Sequence, residues 1–415
     1  MKPIVSTLSR IYPDNQIELQ KERYRKAESA FAEHFGGIGE HRFFSAPGRT
    51  EICGNHTDHN NGKVFAASVD LDVIAVAEYT DDNCITIKSE GFPEDRIYLS
   101  DLSAKDEEKN TAAALIRGVA QGFVNNGYKI GGFRAYTTSN VMKGSGLSSS
   151  AAFEVLVGTV LSHLFNGGQI SSIKVAQISQ YAENVYFGKP SGLMDQMASS
   201  VGGFIAIDFK DNDTPIIEPI PANFEEYGHA LCIVDAKGDH ADLTDEYASI
   251  PTEMKAVAGF FGCESLRQLS LEDIMLNMPD LREQFGDRAI LRAIHFFHEN
   301  DRVDKLVHAL KNKKFDDFLS SVKESGDSSF KYLQNVYANS DVKHQCLSIA
   351  LNMAENSLHR KGACRVHGGG FAGTIQAFVP LEDLKQFKMN MEKIFGTNSC
   401  HVLSVRPVGG TEVTL

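Results

Sequence analysis

The feature that most restricts this chain is a succession of three signals: the strand-like segment GFRAYTTSNV, the loop KGSGLSSS, and the apolar segment AAFEVLVGTVLSHLFNG. In the last of these Phe153, Leu156, Val157, Val160, Leu161 and Leu164 fall near one another on a helical wheel, which predicts a helix. A strand, a glycine loop and a helix in that order bring backbone N–H groups and the positive end of a helix into one space. Gly144 and Gly146 allow close backbone approach to an anion, so Gly144, Ser145, Gly146, Leu147, Ser148, Ser149 and Ser150 form a candidate phosphate cradle. The three serine hydroxyls can cap the helix, donate to phosphate oxygens, or supply a hard oxygen to Mg²⁺. The segment lacks both GK[ST] and the third glycine of a dinucleotide fingerprint. A glycine-rich helix start with a serine cap and no ligand is the competing reading.

Two other segments carry candidate chemistry. In SAPGRTEICGNHTDHNNG, at 45–62, Arg49, Asn55, His56, Asp58 and His59 lie within eleven residues among turn formers, so one loop can present donors and acceptors to a polyhydroxylated ligand. The His-x-Asp-His cluster does not have the spacing of a zinc motif, and a solvated polar turn is the plain alternative. In ENVYFGKPSGLMDQMAS, at 183–199, Glu183 and Asp195 stand among apolar residues, where each is expected to have a cationic partner. HFFHE at 295–299 matches neither HExxH nor HxxEH and is expected to be a helix surface.

With 415 residues the chain exceeds what one core usually serves, and two domains around a cleft are expected, residues 1–210 and 211–415, divided at the turn DNDTP. ELQKERYRKAESAFAEHFGG reads as a helix ending near Gly36, and 64–79 with ITIKSEG reads as paired strands. Both halves mix helices and strands. No apolar run approaches the roughly 18–20 residues of a membrane span. The balance of 41 Lys and Arg against 54 Asp and Glu, a net charge of −13, argues against nucleic acid or an anionic membrane as partner. Seven scattered cysteines without CxxC pairs fit reduced thiols, and the start of the sequence lacks a secretory core, so a cytoplasmic location is expected.

The three segments in this order, with RVHGGGFAGTIQAFV at 365–379, resemble the GHMP kinases and, within them, the branch that phosphorylates galactose. GRTEICGNHTDHNNG is similar to the sugar-kinase signature GRxNxIGEHTDYNxG, GSGLSSSAAFEV to the shared phosphate motif, and ENVYFGKPSGLMDQMAS to the segment around the catalytic aspartate. The resemblance implies an α+β fold of two domains, the first like domain 2 of ribosomal protein S5 and the second ferredoxin-like, with the active site between them. It further implies ATP and Mg²⁺, with Gly144 to Ser150 on the phosphates and Ser150 and Glu183 on the metal. Asp195 would face the accepting hydroxyl beside Arg49, while Asn55, His56, Thr57, Asp58 and Tyr247 would bind the sugar. Gly368 to Gly370 would close the site from the second domain, and a monomer is expected.

Four positions depart from the signature: Glu51 and Cys53 replace asparagine and isoleucine, Asn55 replaces glutamate, and His59 replaces tyrosine. An amide at 55 offers one acceptor and two donors where a carboxylate only accepts, which keeps N-acetylgalactosamine, arabinose or a uronic acid open as substrate. A sugar-binding sensor without turnover is a third reading. Against it, GSGLSSSAA is complete and Glu183 and Asp195 are present.

Overall fold

The computed structural model describes residues 5–37, 39–141, 146–238 and 243–415. Gly144 and Ser145 of the expected phosphate loop lie outside them. Thirteen strands occur among the described residues: Val5–Thr7 (β1), His41–Cys53 (β2), Lys63–Thr80 (β3), Cys84–Ser89 (β4), Glu94–Tyr98 (β5), Gly132–Ser139 (β6), Phe204–Asp208 (β7), Ile216–Pro219 (β8), His229–Asp235 (β9), Ala363–His367 (β10), Thr374–Pro380 (β11), Cys400–Leu403 (β12) and Thr411–Thr414 (β13). Nine form one sheet in the order β1-β13-β2-β3-β6-β4-β5, with β7 on β3 and β8 on β7. The other four form a second sheet, β10-β11-β9-β12.

The opening helix runs Ile17–Phe35 and ends where Gly36 takes φ 75°, a conformation that costs glycine little. Strands β3 and β4 both form where expected, but they do not pair with each other. β6 lies between them, antiparallel to β3 and parallel to β4. A parallel neighbour needs a crossover, and the helix Ala112–Asn125 provides it, which is why the turn at 81–83 does not close a hairpin. The first sheet also runs past residue 210, because β8 pairs with β7 and β13 pairs with both β1 and β2.

The helix after the glycine loop spans Ser149–Asn166 and is buried on nearly every side between Ala151 and His163, where the sequence pattern predicts one apolar face. It lies against β2, β3 and the helices Ala112–Asn125, Ser172–Tyr181 and Met194–Val201. One core cluster continues from Phe44, Phe65 and Leu156 through Phe204 and Phe224 to Phe318 and Phe378 beside the second sheet. Phe224 joins the two regions, with ring centroids 4.8 Å from Phe204, 5.3 Å from Phe318 and 5.1 Å from Phe378. Aromatic pairs at such distances add about 1 kcal/mol each beyond burial, so the two sheets are fixed to each other by packed rings.

Candidate functional site

Strand β2 delivers Arg49 to the foot of the glycine loop. The Arg49 backbone N–H donates to Leu147 O at 3.0 Å, and one guanidinium N–H donates to Gly146 O. The opposite side of the same guanidinium meets Asp195 on the helix Met194–Val201, with Nε 2.6 Å from Oδ1. Burial raises the Asp195 pKa, but Arg49, Lys189 and the neighbouring Ser148 hydroxyl outweigh it and hold the carboxyl below its usual range. Asp195 is therefore ionised at neutral pH, and its expected cationic partner is Arg49.

The turn after β2 carries Asn55 to Asp58. Asp58 accepts from the backbone N–H of His59 at 3.0 Å and from that of Met194, so it ties the turn to the helix bearing Asp195. Gly192 is required beside it, because a Cβ there would meet Asp58 Oδ2 at 1.8 Å. Burial, then the charges of Asp195 and Glu51, push the Asp58 pKa up to about 7. Two nearby carboxyls thus titrate far apart, one ionised and one poised near neutrality.

The glycine turn after β10 meets this loop from the second sheet. Asn55 Nδ2 donates to Gly368 O at 2.7 Å, His56 Nε2 to Gly369 O at 3.0 Å, and Tyr247 Oη to Gly370 O at 2.7 Å. A Cβ on Gly369 would strike the Tyr247 ring at 2.5 Å. Since a carbonyl only accepts, His56 carries its proton on Nε2. His59 Nε2 then donates to His56 Nδ1 at 3.3 Å, and Asn60 Nδ2 donates to His59 Nδ1 at 3.0 Å. Burial lowers the His56 pKa to about 4 and holds that of His59 well below its usual value, so both imidazoles are neutral.

Of the residues expected to bind sugar, Asp58 stands beside Asp195, whereas the others have polar atoms engaged by the protein. The Thr57 hydroxyl lies 2.8 Å from Gly54 O and 2.7 Å from Lys63 O, and closes its own turn. Asn55 gives its second amide proton to Glu51 Oε1 at 2.9 Å, and its Oδ1 accepts from Asn335 at 2.8 Å and Ser329 at 3.3 Å. Its amide is saturated, so the change at this position presents no group to a ligand.

Behind the glycine loop, Ser150 Oγ donates to Glu183 Oε1 at 2.8 Å. Glu183 lies in a π-helical segment, Ala182–Phe187, that continues the helix Ser172–Tyr181 and turns the carboxylate towards the loop. Its cationic partner is Lys189, at 3.0 Å. No group of three His, Cys, Asp or Glu suited to a metal occurs among the described residues. One carboxylate with one hydroxyl nevertheless fits Mg²⁺, which usually takes few protein ligands and completes its shell with phosphate oxygens and water.

HFFHE is not a surface. His295 and Glu299 are fully buried on the helix Met278–Lys311, and only His298 of its charged or imidazole side chains is exposed. Glu299 Oε1 accepts from Gly54 N at 3.0 Å and Ser325 Oγ at 2.5 Å, while Oε2 pairs with Arg302. His295 Nε2 donates to Asn55 O at 2.9 Å. This i, i+4 pair grips the turn after β2 from outside, and the spacing of His295 and Glu299 is its one signal in the sequence. A cavity of about 660 Å³ lined by Lys323, Asn352 and Arg360 lies elsewhere, and among the motif residues it meets only Arg365, whose guanidinium turns away to Glu51. Charge and hydrogen bonding, not volume, locate the site.

Residues 29–79 match the model of the galactokinase galactose-binding signature, and residues 111–203 that of the GHMP kinases N-terminal domain. A galactokinase of Lacticaseibacillus paracasei is 30% identical over 378 residues, 88% of this chain and 92% of that protein. One of Clostridium tetani is 29% identical over 368 residues, covering 87% and 90%. Among solved structures, Lactococcus lactis galactokinase complexed with galactose superposes with a TM-score of 0.79 at 26% identity, covering 92% of this chain and 98% of that one. Methanococcus jannaschii mevalonate kinase, at 15% identity and a TM-score of 0.62 over 88% and 99%, shares the fold.

Proposed function

Because the chain belongs to the galactokinase family, we propose that it transfers the γ-phosphoryl group of ATP to the anomeric 1-hydroxyl of galactose, giving galactose 1-phosphate. The observation that carries this reading is the Arg49 guanidinium bridging Asp195 and Gly146 O, which joins an ionised carboxylate to the phosphate loop in one rigid unit.

Phosphoryl transfer through a loose transition state needs alignment and charge neutralisation more than covalent help. Gly146 to Ser150 and the start of the helix Ser149–Asn166 supply N–H groups for the phosphates, and we extend that role to Gly144 and Ser145. Arg49 supplies positive charge at the transfer point. Asp195, kept ionised by Arg49, takes the proton of the attacking hydroxyl, and Asp58 orients the sugar beside it. Ser150 and Glu183 would hold Mg²⁺, which when bound neutralises charge on the phosphate oxygens. His56 and Tyr247 shape the sugar side through their links to Gly369 and Gly370. Residues 1–210 and 211–415 act as the two halves of the site, one bringing both loops and the other the glycine turn and Tyr247. We read the enzyme as a cytoplasmic monomer; no helix among the described residues is long and apolar enough to cross a membrane.

The test is ADP release with Mg-ATP against a panel of monosaccharides. Galactose is expected to give the highest kcat/KM, and a stronger response to N-acetylgalactosamine, arabinose or a uronic acid would overturn the choice of sugar. Asp195→Asn should bind ATP normally and lose at least a thousandfold in kcat, about 4 kcal/mol of barrier. A variant keeping most of its turnover would remove Asp195 as base.

A further inference from the structure

Glu183 presents two unlike oxygens. Oε2 is held by neutral donors, Ser191 Oγ at 2.6 Å and Gln196 Nε2 at 2.7 Å. Oε1 meets the Ser150 hydroxyl at 2.8 Å and the Lys189 ammonium at 3.0 Å. The Glu183 side chain is fully buried, whereas that of Lys189 is 52% exposed. The ammonium therefore reaches a buried carboxylate from the solvent side, on a flexible four-carbon stem. Its main chain is anchored independently, with Lys189 N donating to Glu183 O at 3.1 Å, so the tip can leave without moving the turn. Gln196 links Glu183 to a second buried carboxyl, Glu154, with its amide nitrogen 3.1 Å from Glu154 Oε2 and 2.7 Å from Glu183 Oε2. Lys189 is thus the cation in contact with Glu183 among the described residues, and it occupies the oxygen shared with Ser150.

We propose that Lys189 is an exchangeable counter-ion: its ammonium holds Glu183 Oε1 until a divalent cation arriving with the nucleotide displaces it. A buried carboxylate without a cation is strongly disfavoured, so a site that must bind and release a metal nucleotide gains from a tethered substitute. The exchange replaces one charge-assisted contact by another and needs no other part of the cluster to move. The inference rests on the reading of Ser150 and Glu183 as the metal pair.

The full chain and its Lys189→Met, Lys189→Arg and Glu183→Gln variants would be titrated with a non-hydrolysable ATP analogue by calorimetry over a range of free Mg²⁺. Removing the competitor is expected to lower the Mg²⁺ concentration for half-maximal analogue binding about tenfold in Lys189→Met, the size of one charged contact, and to leave it near wild type in Lys189→Arg. Thermal unfolding gives a second readout: Lys189→Met should melt below wild type in chelator and gain more from Mg²⁺ with the analogue. A Mg²⁺ requirement in Lys189→Met within twofold of wild type, with Glu183→Gln weakening metal dependence, overturns the exchange while leaving the metal pair standing. An unchanged Mg²⁺ requirement in Glu183→Gln overturns the metal pair and the exchange with it.

Discussion

Replacing Asn55 by aspartate keeps the shape of the side chain and removes two protons from the junction between the turn after β2 and the glycine turn after β10. The amide donates to Glu51 Oε1 at 2.9 Å and to Gly368 O at 2.7 Å, and both Asn55 and Glu51 are almost fully buried. An ionised carboxylate in place of that amide would set acceptor against acceptor at both contacts and put a second buried charge beside Glu51, an error of about 3–5 kcal/mol. At about 2.1 cal/mol/K per residue, 415 residues give an unfolding entropy near 0.9 kcal/mol/K, so Asn55→Asp should lower Tm by about 3–6 °C at pH 8. The added carboxyl would have a raised folded pKa. The stability held by its protonated form is complete below the ordinary aspartate pKa and lost as pH rises through the raised value, so the deficit should shrink at pH 5. In a Glu51→Gln background the new amide nitrogen can donate to the introduced carboxylate, at the expense of the Arg365 contact that shares Glu51 Oε1, and a double-mutant cycle should return about 1 kcal/mol of coupling. The assay is thermal and denaturant unfolding of the four proteins. Equal penalties in both backgrounds, or a raised galactose KM without loss of Tm, would show that Asn55 serves the ligand and not the junction.

Asp58, with a folded pKa of about 7, makes the stability of the ligand-free enzyme pH-dependent. The stabilising neutral form is complete below about pH 4 and lost as pH rises through about 7, so Tm measured from pH 5 to 8.5 should fall more steeply for wild type than for Asp58→Asn. Glu299→Gln removes the buried carboxylate that pairs with Arg302, leaving it only the distant Glu324 at 3.9 Å, and weakens the grip on Gly54. It should cost about 3 kcal/mol and raise the KM for galactose more than the KM for ATP, and equal changes in the two constants would refute a specific hold on the sugar turn.

The parts of the site legible in the sequence are those whose chemistry is local. Gly146 to Ser150 and the helix after them follow from residue types within one stretch, and Arg49 and Asp195 each stand out as a charge needing a partner. The pairing itself depends on the fold that brings two segments 146 residues apart within 2.6 Å. The signature puts Thr57 and Asn55 on the ligand because their side chains are polar and lie within it. Their engagement by Lys63 O, Gly368 O and Asn335 depends on backbone that only the folded chain supplies. His295 and Glu299 read as surface for the same reason: on an isolated helix they are polar, and only the turn after β2 and the helix Phe315–Ser328, packed against that helix, make them interior. Strand order is hidden likewise, since the alternation in β3 and β4 says that they are strands and nothing about β6 between them.

β13 gives the first sheet a timing as well as a shape. Thr411–Thr414 sits between β1 and β2, and just before it Arg406, fully buried, gives Nη1 to Ser45 Oγ at 2.6 Å and to Asp72 Oδ2 at 3.0 Å. Until those residues leave the ribosome, β2 has an open edge and Asp72 lacks one of its two arginines, the other being Arg23 at 2.5 Å. A nascent chain can already contain Arg49, the glycine loop and Asp195 and still have no closed scaffold to align them. Catalytic competence therefore waits for residues that touch no substrate, and a chain cut short before 406 should go to proteolysis without having phosphorylated anything.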